Sequence, residues 1–134
     1  MEYNTSKNID LDQLIKLYTS VGWTAYTQSP ENLSAAVANS LTVITAIDAG
    51  QLVGLIRLVG DGLSIIYVQD LLVQPTYQRR GIGTQLLNLA INQYRSVRQK
   101  VLLTEEAAET RAFYEKCGFS SCDRGNLVAF YREF

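Results

Sequence analysis

The sequence contains no histidine, and this absence restricts the chemistry that an active site could use. Histidine is the usual proton-transfer side chain near neutral pH, so a general acid or base must here be Tyr, Asp, Glu, Lys, Cys or a water chain. Only two cysteines occur, Cys117 and Cys122. A zinc site needs about four nitrogen or sulfur ligands, so we predict no metal site. In a cytosolic chain we expect both thiols to be free, with a disulfide between them as the alternative.

Long apolar runs and concentrated basic charge are also missing. No run approaches the roughly 20 apolar residues of a membrane-spanning helix, and the opening residues, MEYNTSKNIDLDQ, are polar and acidic. We therefore expect neither a signal peptide nor a membrane anchor, and a cytoplasmic location. The net charge is −1, and the 12 Lys and Arg residues are scattered apart from Arg79 and Arg80. That distribution argues against nucleic acid as a partner.

Size and composition indicate one globular domain. Hydrophobic residues make up 47% of the chain and charged residues 19%, which is typical of globular proteins rather than disordered or membrane proteins. The length of 134 residues is near the commonest size of a single domain. We therefore predict one domain over residues 1–134, with an active site inside it or completed by a dimer partner.

Spacing and capping signals predict two helices in the first third of the chain. Apolar residues at 11–21 recur on one helix face, with Asp10 placed to cap the start and Gly22 to end it. The tripeptide SPE at 29–31 offers a second capping hydroxyl, a proline suited to the first helical position and an acid near the positive helix end. The aromatic segment between them, SVGWTAY, is predicted to be a loop.

Strands and helices are predicted for the rest of the chain. Three runs rich in Val, Ile and Leu, LTVITAID, QLVGLIRLV and LSIIYVQDLLV, are separated by the turn signals AG and GDG and predict an antiparallel meander. Helices after Gly81 and from Thr104 enclose a short apolar strand, KVLLT, and NLVAFYREF is predicted as a last strand. The second of these helices would bury a stripe formed by Ala108, Ala112, Phe113 and Cys117. The order α-α-β-β-β-α-β-α-β predicts an α/β mixed sheet with helices on its faces.

The segment QPTYQRRGIGTQLL, residues 74–87, follows the third predicted strand and opens a helix. The first N–H groups of a helix have no internal partner, and the helix dipole makes that end positive, so the segment could hold a phosphate or a pyrophosphate. Gly81 and Gly83 would let a ligand approach the backbone, and Arg79 and Arg80 add charge. Neither G-x-x-x-x-G-K-S/T nor a complete dinucleotide-binding glycine pattern is present. By itself the segment could equally be an ordinary turn.

Two separate segments resemble the signatures of the GNAT N-acetyltransferases. DLLVQPTYQRRGIGTQLL is similar to the family's acetyl-CoA motif, Q/R-x-x-G-x-G/A, whose three positions are filled by Gln78, Gly81 and Gly83. TRAFYEKCGF resembles the second signature, an aromatic-Tyr-Glu-Lys-x-Gly-Phe segment, and the two occur in the family's order. The resemblance implies a GNAT fold: a mixed, mostly antiparallel sheet that splays after its fourth strand, flanked by about four helices.

The resemblance also implies acetyl-CoA as cofactor. Its pantetheine arm would lie along the backbone of the strand that ends near Val73, and its pyrophosphate would be bound by backbone N–H groups of the glycine-containing segment. The implied cofactor-binding residues are Leu71, Leu72, Val73, Gln78, Arg79, Arg80, Gly81, Ile82, Gly83, Thr84 and Tyr114. Because the contacts would come from backbone, we expect Gly81→Val or Gly83→Val to impair CoA binding more than Arg79→Ala.

The implied reaction is direct attack of a primary amine on the thioester while both substrates are bound. Tyr114 matches the family tyrosine that can give a proton to the departing CoA thiolate, with half-buried packing as the alternative role. Where relatives carry a glutamate base, this chain has Tyr67 and Gln69. Asp70 is the nearest carboxylate and the candidate base, although a structural role is equally compatible. An amine of low pKa, or a water chain, would need no base.

One further departure from the family pattern, one cysteine and one candidate pocket complete the predicted site. Ala107 stands where many relatives have an asparagine that bonds the CoA arm, so Thr104 or Thr110 would have to supply that contact. Cys117 is expected to pack rather than act as a nucleophile, because burial raises the pKa of a thiol. Trp23 and Tyr26 lie in the region that shapes the acceptor pocket in relatives.

We therefore predict an acetyl-CoA-dependent N-acetyltransferase acting on a primary amine. The absence of an acidic cluster favours a small-molecule amine, uncharged elsewhere or aromatic, over a polyamine or a histone tail. The alternatives are a protein-amine acetyltransferase, a catalytically idle acyl-CoA-binding regulatory module and a nucleotide-binding module. A homodimer is possible through the predicted last strand, which could also be covered within one chain.

Overall fold

The computed structural model describes all 134 residues and contains a five-stranded mixed sheet with five α-helices. In chain order the elements are β1 (Glu2–Asn4), α1 (Leu11–Ser20), α2 (Thr24–Thr27), α3 (Pro30–Ala38), β2 (Thr42–Asp48), β3 (Gln51–Gly60), β4 (Ile65–Val73), α4 (Ile82–Gln93), β5 (Gln99–Leu102) and α5 (Ala108–Lys116). Short 3-10 turns occupy Pro75–Tyr77 and Cys122–Arg124. The predicted α/β class is confirmed. The chain divides into two compact units, Met1–Leu103 with the whole sheet and Thr104–Phe134 with α5.

The sheet has the strand order β1-β2-β3-β4-β5, with antiparallel pairing through β4 and parallel pairing between β4 and β5. Strand β5 pairs with β4 only from Ile65 to Val68. Beyond Val68, residues 70–73 of β4 pair with β3 alone. The sheet therefore opens on one side of its fourth strand, which confirms the splay that the family resemblance implied.

A β-bulge marks the point where the two strands part. Arg57 of β3 lies opposite Asp70, and the next pair is Leu58 with Val68, so Gln69 is the extra residue. A bulge bends its strand and re-aims the side chains around it. The bend therefore falls at the first residue of β4 that has no partner in β5.

Leucine-rich faces of α1 and α3 cover one side of the sheet. The buried residues there are Leu14, Leu17, Leu33 and Val37 from the helices and Val43, Leu55 and Leu72 from the strands. Each buried Leu or Val of this kind stabilises the fold by roughly 1.5–3 kcal/mol. This packing fixes the face of β4 that carries Leu72 and Asp70, since Tyr18 of the same cluster bonds Asp70.

Helix α4 packs against the sheet at a glycine. A Cβ atom added to Gly54 of β3 would lie 3.2 Å from side-chain atoms of both Ile82 and Leu86. Because Gly54 has no side chain, α4 can approach β3 closely there. The start of α4 is thereby held against the sheet by its own first turn.

Several boundaries differ from the sequence predictions. Asp10 caps α1 as predicted, since its carboxylate accepts from Gln13 N at 3.1 Å. The predicted hydroxyl cap of α3 is wrong, because the Ser29 side chain makes no capping hydrogen bond, although Pro30 does begin that helix. The short strand β1 and the one-turn helix α2 were not predicted, because three or four residues are too few to show a periodicity. With β1 present, the strand ending at Val73 is the fourth.

The C-terminal predictions fail in two respects. Helix α5 begins after an extended Ala107 rather than at Thr104, and none of its residues is fully buried, so the predicted buried stripe is wrong. The predicted last strand is absent as well, since residues 126–134 form no helix or strand. Apolar side chains there are exposed, including Val128 at 76% and Phe130 at 93%. An apolar pattern makes a strand only where a neighbouring strand supplies hydrogen bonds, and this segment has no such partner.

Candidate active site

The anion loop, residues 78–84, joins the end of β4 to the start of α4. Gln78 ties it to the strand, because its side-chain Nε2 donates to the carbonyl oxygen of Val73 at 3.0 Å. Gly81 is the N-cap of α4 and has φ +83°, in the left-handed region that glycine adopts most readily. A Cβ added at Gly81 would meet no atom within 4 Å. Open space therefore lies beside the backbone where α4 begins.

The start of α4 presents unsatisfied N–H groups to that space. The hydrogen bond from Gln85 N to Gly81 O, 3.0 Å long, closes the first helical turn. The N–H groups before Gln85, from Gly81 to Thr84, consequently have no acceptor within the helix. Ile82 is buried through its side chain, so only its backbone can serve a ligand. A twelve-residue helix also places partial positive charge at this end, which favours an anion.

The two arginines of the loop are exposed and differ in backbone geometry. Arg79 has φ +65°, which costs a non-glycine residue roughly 1–2 kcal/mol. The Arg80 guanidinium lies 4.9 Å from the centre of the Tyr77 ring. The Tyr77 hydroxyl in turn donates to Asp48 at 2.7 Å, and this hydrogen bond raises the pKa of Tyr77. Stacking and hydrogen bonding thus connect Arg80 to the end of β2.

The strand residues predicted to face the cofactor form the unpaired edge of β4. Leu72 and Val73 are buried and Leu71 is half-buried, so their side chains anchor the strand. On the side away from β3, residues 69–73 have no strand partner. The Val73 carbonyl on that edge accepts from Gln78, and the other backbone groups there have no strand partner and can bond an extended ligand as an added strand would. The structure therefore brings Leu71–Val73 and the anion loop together in one strand-turn-helix segment.

Asp70 belongs to a group of four hydrogen-bonded side chains that we call the polar cluster: Tyr18, Tyr26, Arg57 and Asp70. Of these, Tyr26 is half-buried and the other three are buried. Asp70 is 3% exposed and Arg57 6% exposed, and Arg57 Nε donates to Asp70 Oδ2 at 2.7 Å. The hydroxyl of Tyr18 donates to the same oxygen at 2.8 Å, and that of Tyr26 to Oδ1 at 2.7 Å. The carboxylate is thus hydrogen-bonded on both oxygens and neutralised by a guanidinium.

Burial and the Asp70 charge control the ionisation of the cluster's other members. Burial, followed by the neighbouring negative charge of Asp70, raises the pKa of Tyr18 far above its usual value. Burial and the hydrogen bond to Asp70 raise the pKa of Tyr26 as well. Burial acts to lower the pKa of Arg57, but the charge and hydrogen bond of Asp70 outweigh it and the pKa rises. Both tyrosines therefore stay protonated and Arg57 stays charged.

This arrangement bears on the predicted base. The carboxylate of Asp70 already accepts three hydrogen bonds, one of them from a guanidinium. Charge-assisted hydrogen bonds of this kind are strong and hold the carboxylate in place. The contacts of Asp70 therefore favour a structural role, and its role as base stays a prediction.

The ring of Trp23 lies beside the two tyrosines of the polar cluster. The centres of the Trp23 and Tyr26 rings are 6.2 Å apart, and that of Tyr18 lies 6.0 Å from Trp23 and 5.0 Å from Tyr26. Trp23 and Tyr26 are half-buried, whereas Tyr18 is fully buried. The acceptor-pocket role predicted for Trp23 and Tyr26 stays a prediction. The link from Tyr26 to Asp70 was missed, because 44 residues separate them and no local pattern records the contact.

Tyr114 lies on α5, in the unit Thr104–Phe134. Its ring is half-buried and meets Phe113 and Phe119 edge to face, with centres 5.0 Å and 5.9 Å away. Burial and the neighbouring Cys117 raise the pKa of Tyr114 to about 12. The phenol therefore holds its proton at neutral pH, and its role as proton donor stays a prediction. No disulfide joins Cys117 and Cys122.

Arg111 organises the same C-terminal unit. It donates two hydrogen bonds to the carboxylate of Glu106, one of them 2.8 Å long, and another to Asp123 at 3.1 Å. The polar TRAFYEK segment thus makes surface ion pairs rather than a buried face.

No group of three or more Cys, Asp or Glu side chains is arranged to hold a metal ion, and none of the helices has the length and apolar character needed to cross a membrane.

Comparison with known proteins agrees with this geometry. Residues 39–121 match the family model described as an acetyltransferase (GNAT) domain. A GNAT-family acetyltransferase of known structure from Streptococcus pneumoniae TIGR4 is 37% identical, with 98% of each chain covered and a TM-score of 0.83. An uncharacterized N-acetyltransferase of Pyropia yezoensis is 29% identical over 120 residues, which are 87% of this chain and 68% of that protein.

A more distant structure, an aminoglycoside 6′-N-acetyltransferase complexed with coenzyme A, shares the fold. It is 21% identical, with a TM-score of 0.72 over 88% of this chain and 84% of its own. The family match and the fold together define the class of this protein, which is an acetyltransferase. This chain belongs to the GNAT family of acetyltransferases, which use acetyl-CoA, and the predicted family membership is confirmed.

Proposed function

We propose that this protein transfers the acetyl group of acetyl-CoA to a primary amine of a small molecule, by direct attack while both substrates are bound. The observation that carries the proposal is the start of α4. Gly81 stands there in a left-handed conformation beside open space, ahead of N–H groups that have no helical acceptor. Residues 1–134 would act together as one GNAT domain, since the family match runs through both compact units.

The residues present fit acetyl-CoA. A pyrophosphate matches the unsatisfied N–H groups of residues 81–84, because an anion is what such a helix start binds best. The amide groups of a pantetheine chain match the strand edge at residues 69–73, which lacks a partner in β5. When bound, acetyl-CoA supplies an acetyl thioester, which is reactive toward amines.

The chain's own groups would have distinct tasks in the reaction. The N–H groups of Gly81–Thr84 bind and orient the cofactor, and the β4 edge fixes the direction of its arm. Tyr114 holds a proton that it can give to a departing thiolate, because its pKa of about 12 keeps it protonated. Positioning of two reactants is itself a large part of such catalysis.

The charged residues of the unit Met1–Leu103 support a substrate amine that has no second cationic group. Arg57 and Asp70 are the buried charged residues, and they neutralise each other. No unpaired buried carboxylate is left to bind a further ammonium group. The half-buried rings of Trp23 and Tyr26 would instead suit an apolar or aromatic body next to the amine.

A coupled pair of assays tests this function. Thiol release from acetyl-CoA is followed with a panel of small amines and peptides, and thermal unfolding is measured with CoA and with ATP. We expect thiol release with at least one small amine and stabilisation by CoA but not by ATP. Stabilisation by CoA without turnover on any amine would indicate an acyl-CoA-binding module. Turnover on peptides alone would indicate a protein-amine acetyltransferase, and stabilisation by ATP alone would contradict the proposal.

A further inference from the structure

The hydroxyl of Tyr26 has a fixed direction. It donates its single proton to Asp70 Oδ1 at 2.7 Å. Every other contact that it makes must therefore use the oxygen as an acceptor. Two donors occupy that role: Gln69 Nε2 at 3.2 Å and Arg57 Nη2 at 3.4 Å. Both distances are long for N–H···O bonds, so the oxygen is weakly satisfied on this side.

Asp70 cannot easily turn away from Tyr26. Its other oxygen, Oδ2, receives Arg57 Nε at 2.7 Å and the Tyr18 hydroxyl at 2.8 Å. The ion pair with Arg57 by itself holds the carboxylate plane, which in turn holds the proton of Tyr26 on the inner side. The polar cluster therefore keeps the Tyr26 oxygen as an acceptor that faces outward.

The outward donor, Gln69, lies where the sheet opens. Gln69 is the bulged residue of β4 and the first that has no partner in β5. Its side chain is exposed, so the amide can move into water at little cost. The Tyr26 oxygen is therefore accessible to another donor at the point where β4 and β5 separate.

We propose that the Tyr26 hydroxyl oxygen accepts an N–H hydrogen bond from the substrate amine, which displaces the amide of Gln69. This assignment rests on the proposed function. An acceptor-only oxygen favours a group that carries N–H donors and disfavours carbonyl or carboxylate oxygens. Tyr26 thus orients the amine nitrogen and selects for it, and Asp70 and Arg57 are positioning residues that act through Tyr26.

Two matched variants test the assignment. Tyr26→Phe and Tyr18→Phe each remove one hydroxyl bonded to Asp70, but Tyr18 is fully buried and has no outward side. We expect Tyr26→Phe to raise the KM for the amine about tenfold, the loss of one charge-assisted hydrogen bond, with the Kd for CoA unchanged. We expect Tyr18→Phe to change the amine KM by less than about twofold.

A binding readout separates this inference from the activity. Trp23 is the only tryptophan, and its ring centre lies 6.2 Å from that of Tyr26, so its fluorescence can follow amine titration without turnover. Amine binding should weaken in Tyr26→Phe and not in Tyr18→Phe. Equal weakening in the two variants, or none in Tyr26→Phe, would overturn the assignment. Fluorescence-detected amine binding without any acetyl transfer would instead contradict the proposed function alone.

Gln69→Leu provides a second test that does not depend on the folding of Tyr26→Phe. It removes the donor that competes for the Tyr26 oxygen and leaves the polar cluster intact. We expect the amine KM to fall by about twofold or threefold, because no amide has to be displaced. An unchanged or higher KM in Gln69→Leu would count against the displacement.

Discussion

The anion loop and the polar cluster differ in which atoms they use: the loop uses backbone groups, and the cluster uses side chains. The loop offers backbone N–H groups next to open space, and its side chains contribute little beyond charge and a tie to the strand. The cluster works through side chains alone, and those of Asp70 and Arg57 are almost completely buried. A substitution in the loop should therefore change binding more than stability, whereas a substitution inside the cluster should change stability first.

The largest effect is expected for Asp70→Ala. It leaves the buried Arg57 without its counter-charge, and an uncompensated buried charge costs about 3–5 kcal/mol. Urea unfolding should show the free energy of unfolding reduced by that amount. The double variant Arg57→Met with Asp70→Leu is the control, because an apolar pair of similar volume should recover most of the loss.

The same residue also tests the predicted base. If Asp70 acts as the base, Asp70→Asn should lower kcat strongly. If its role is structural, as its contacts favour, the folded fraction should keep kcat within a few-fold. A stable Asp70→Ala protein would contradict the account of the cluster.

The next effect is expected for Tyr114→Phe. The loss of its proton donor should lower kcat by about 10²-fold and leave the Kd for CoA nearly unchanged, because the ring remains. Steady-state kinetics together with calorimetric CoA titration measure both quantities. Phe113→Leu is a control for packing in the same aromatic group. An unchanged kcat in Tyr114→Phe would remove Tyr114 from the mechanism.

Tyr114 also leads to a prediction about pH. Its pKa is about 12 in the folded chain and near its usual 10 when unfolded, so the folded state keeps the proton longer. That contribution to stability is complete below pH 10 and is lost as the pH rises toward 12. The melting temperature of the wild type should therefore fall more steeply between pH 10 and pH 12 than that of Tyr114→Phe. Parallel curves would show that the pKa is not raised.

A smaller effect on binding is expected for Gly81→Val. The side chain would fill the open space beside the loop, and the loss of one hydrogen bond to a charged group corresponds to about a tenfold weaker Kd for CoA. Gly50→Val is the matched control, because Gly50 has φ +80° and open space too but lies in the β2–β3 turn. Calorimetry should show weaker binding only in Gly81→Val. Arg79→Ala should weaken binding less, and the reverse order would indicate a site controlled by charge.

The smallest effect is expected for Tyr77→Phe. This variant keeps the ring that stacks on Arg80 but loses the hydrogen bond to Asp48. We expect Tyr77→Phe to weaken the affinity for CoA less than Gly81→Val does, because only the support of Arg80 is loosened. The kcat should be unchanged. An effect equal to that of Gly81→Val would show that side-chain support matters as much as backbone access.

The difference between the two regions explains what the sequence could predict. The anion loop is one continuous segment, so local signals predicted the helix after Gly81, and the resemblance of Gln78 and Gly81 to a family motif indicated a cofactor loop. The polar cluster joins α1, α2, β3 and β4, and residues such as Tyr18 and Asp70 are 52 positions apart. Only the folded sheet brings them together, so local patterns could identify Asp70 but not its partners.

The failures at the C-terminus have the same origin. The segment LVAFYREF has the apolar composition of a strand, but a strand needs a neighbour that local composition does not provide. Helix α5 was placed too early because Thr104 and Glu105 look like a helix start, whereas the helix begins after Ala107. The homodimer that the last strand suggested stays a prediction.

The central claim is that CoA binds through the backbone at the start of α4. Its most direct test is a titration of the isotope-labelled protein with CoA, observed through the backbone N–H signals in NMR spectra. We predict the largest shifts at Gly81, Ile82, Gly83 and Thr84, and we predict their loss in Gly81→Val but not in Gly50→Val. CoA binding that leaves these four signals in place would contradict the claim.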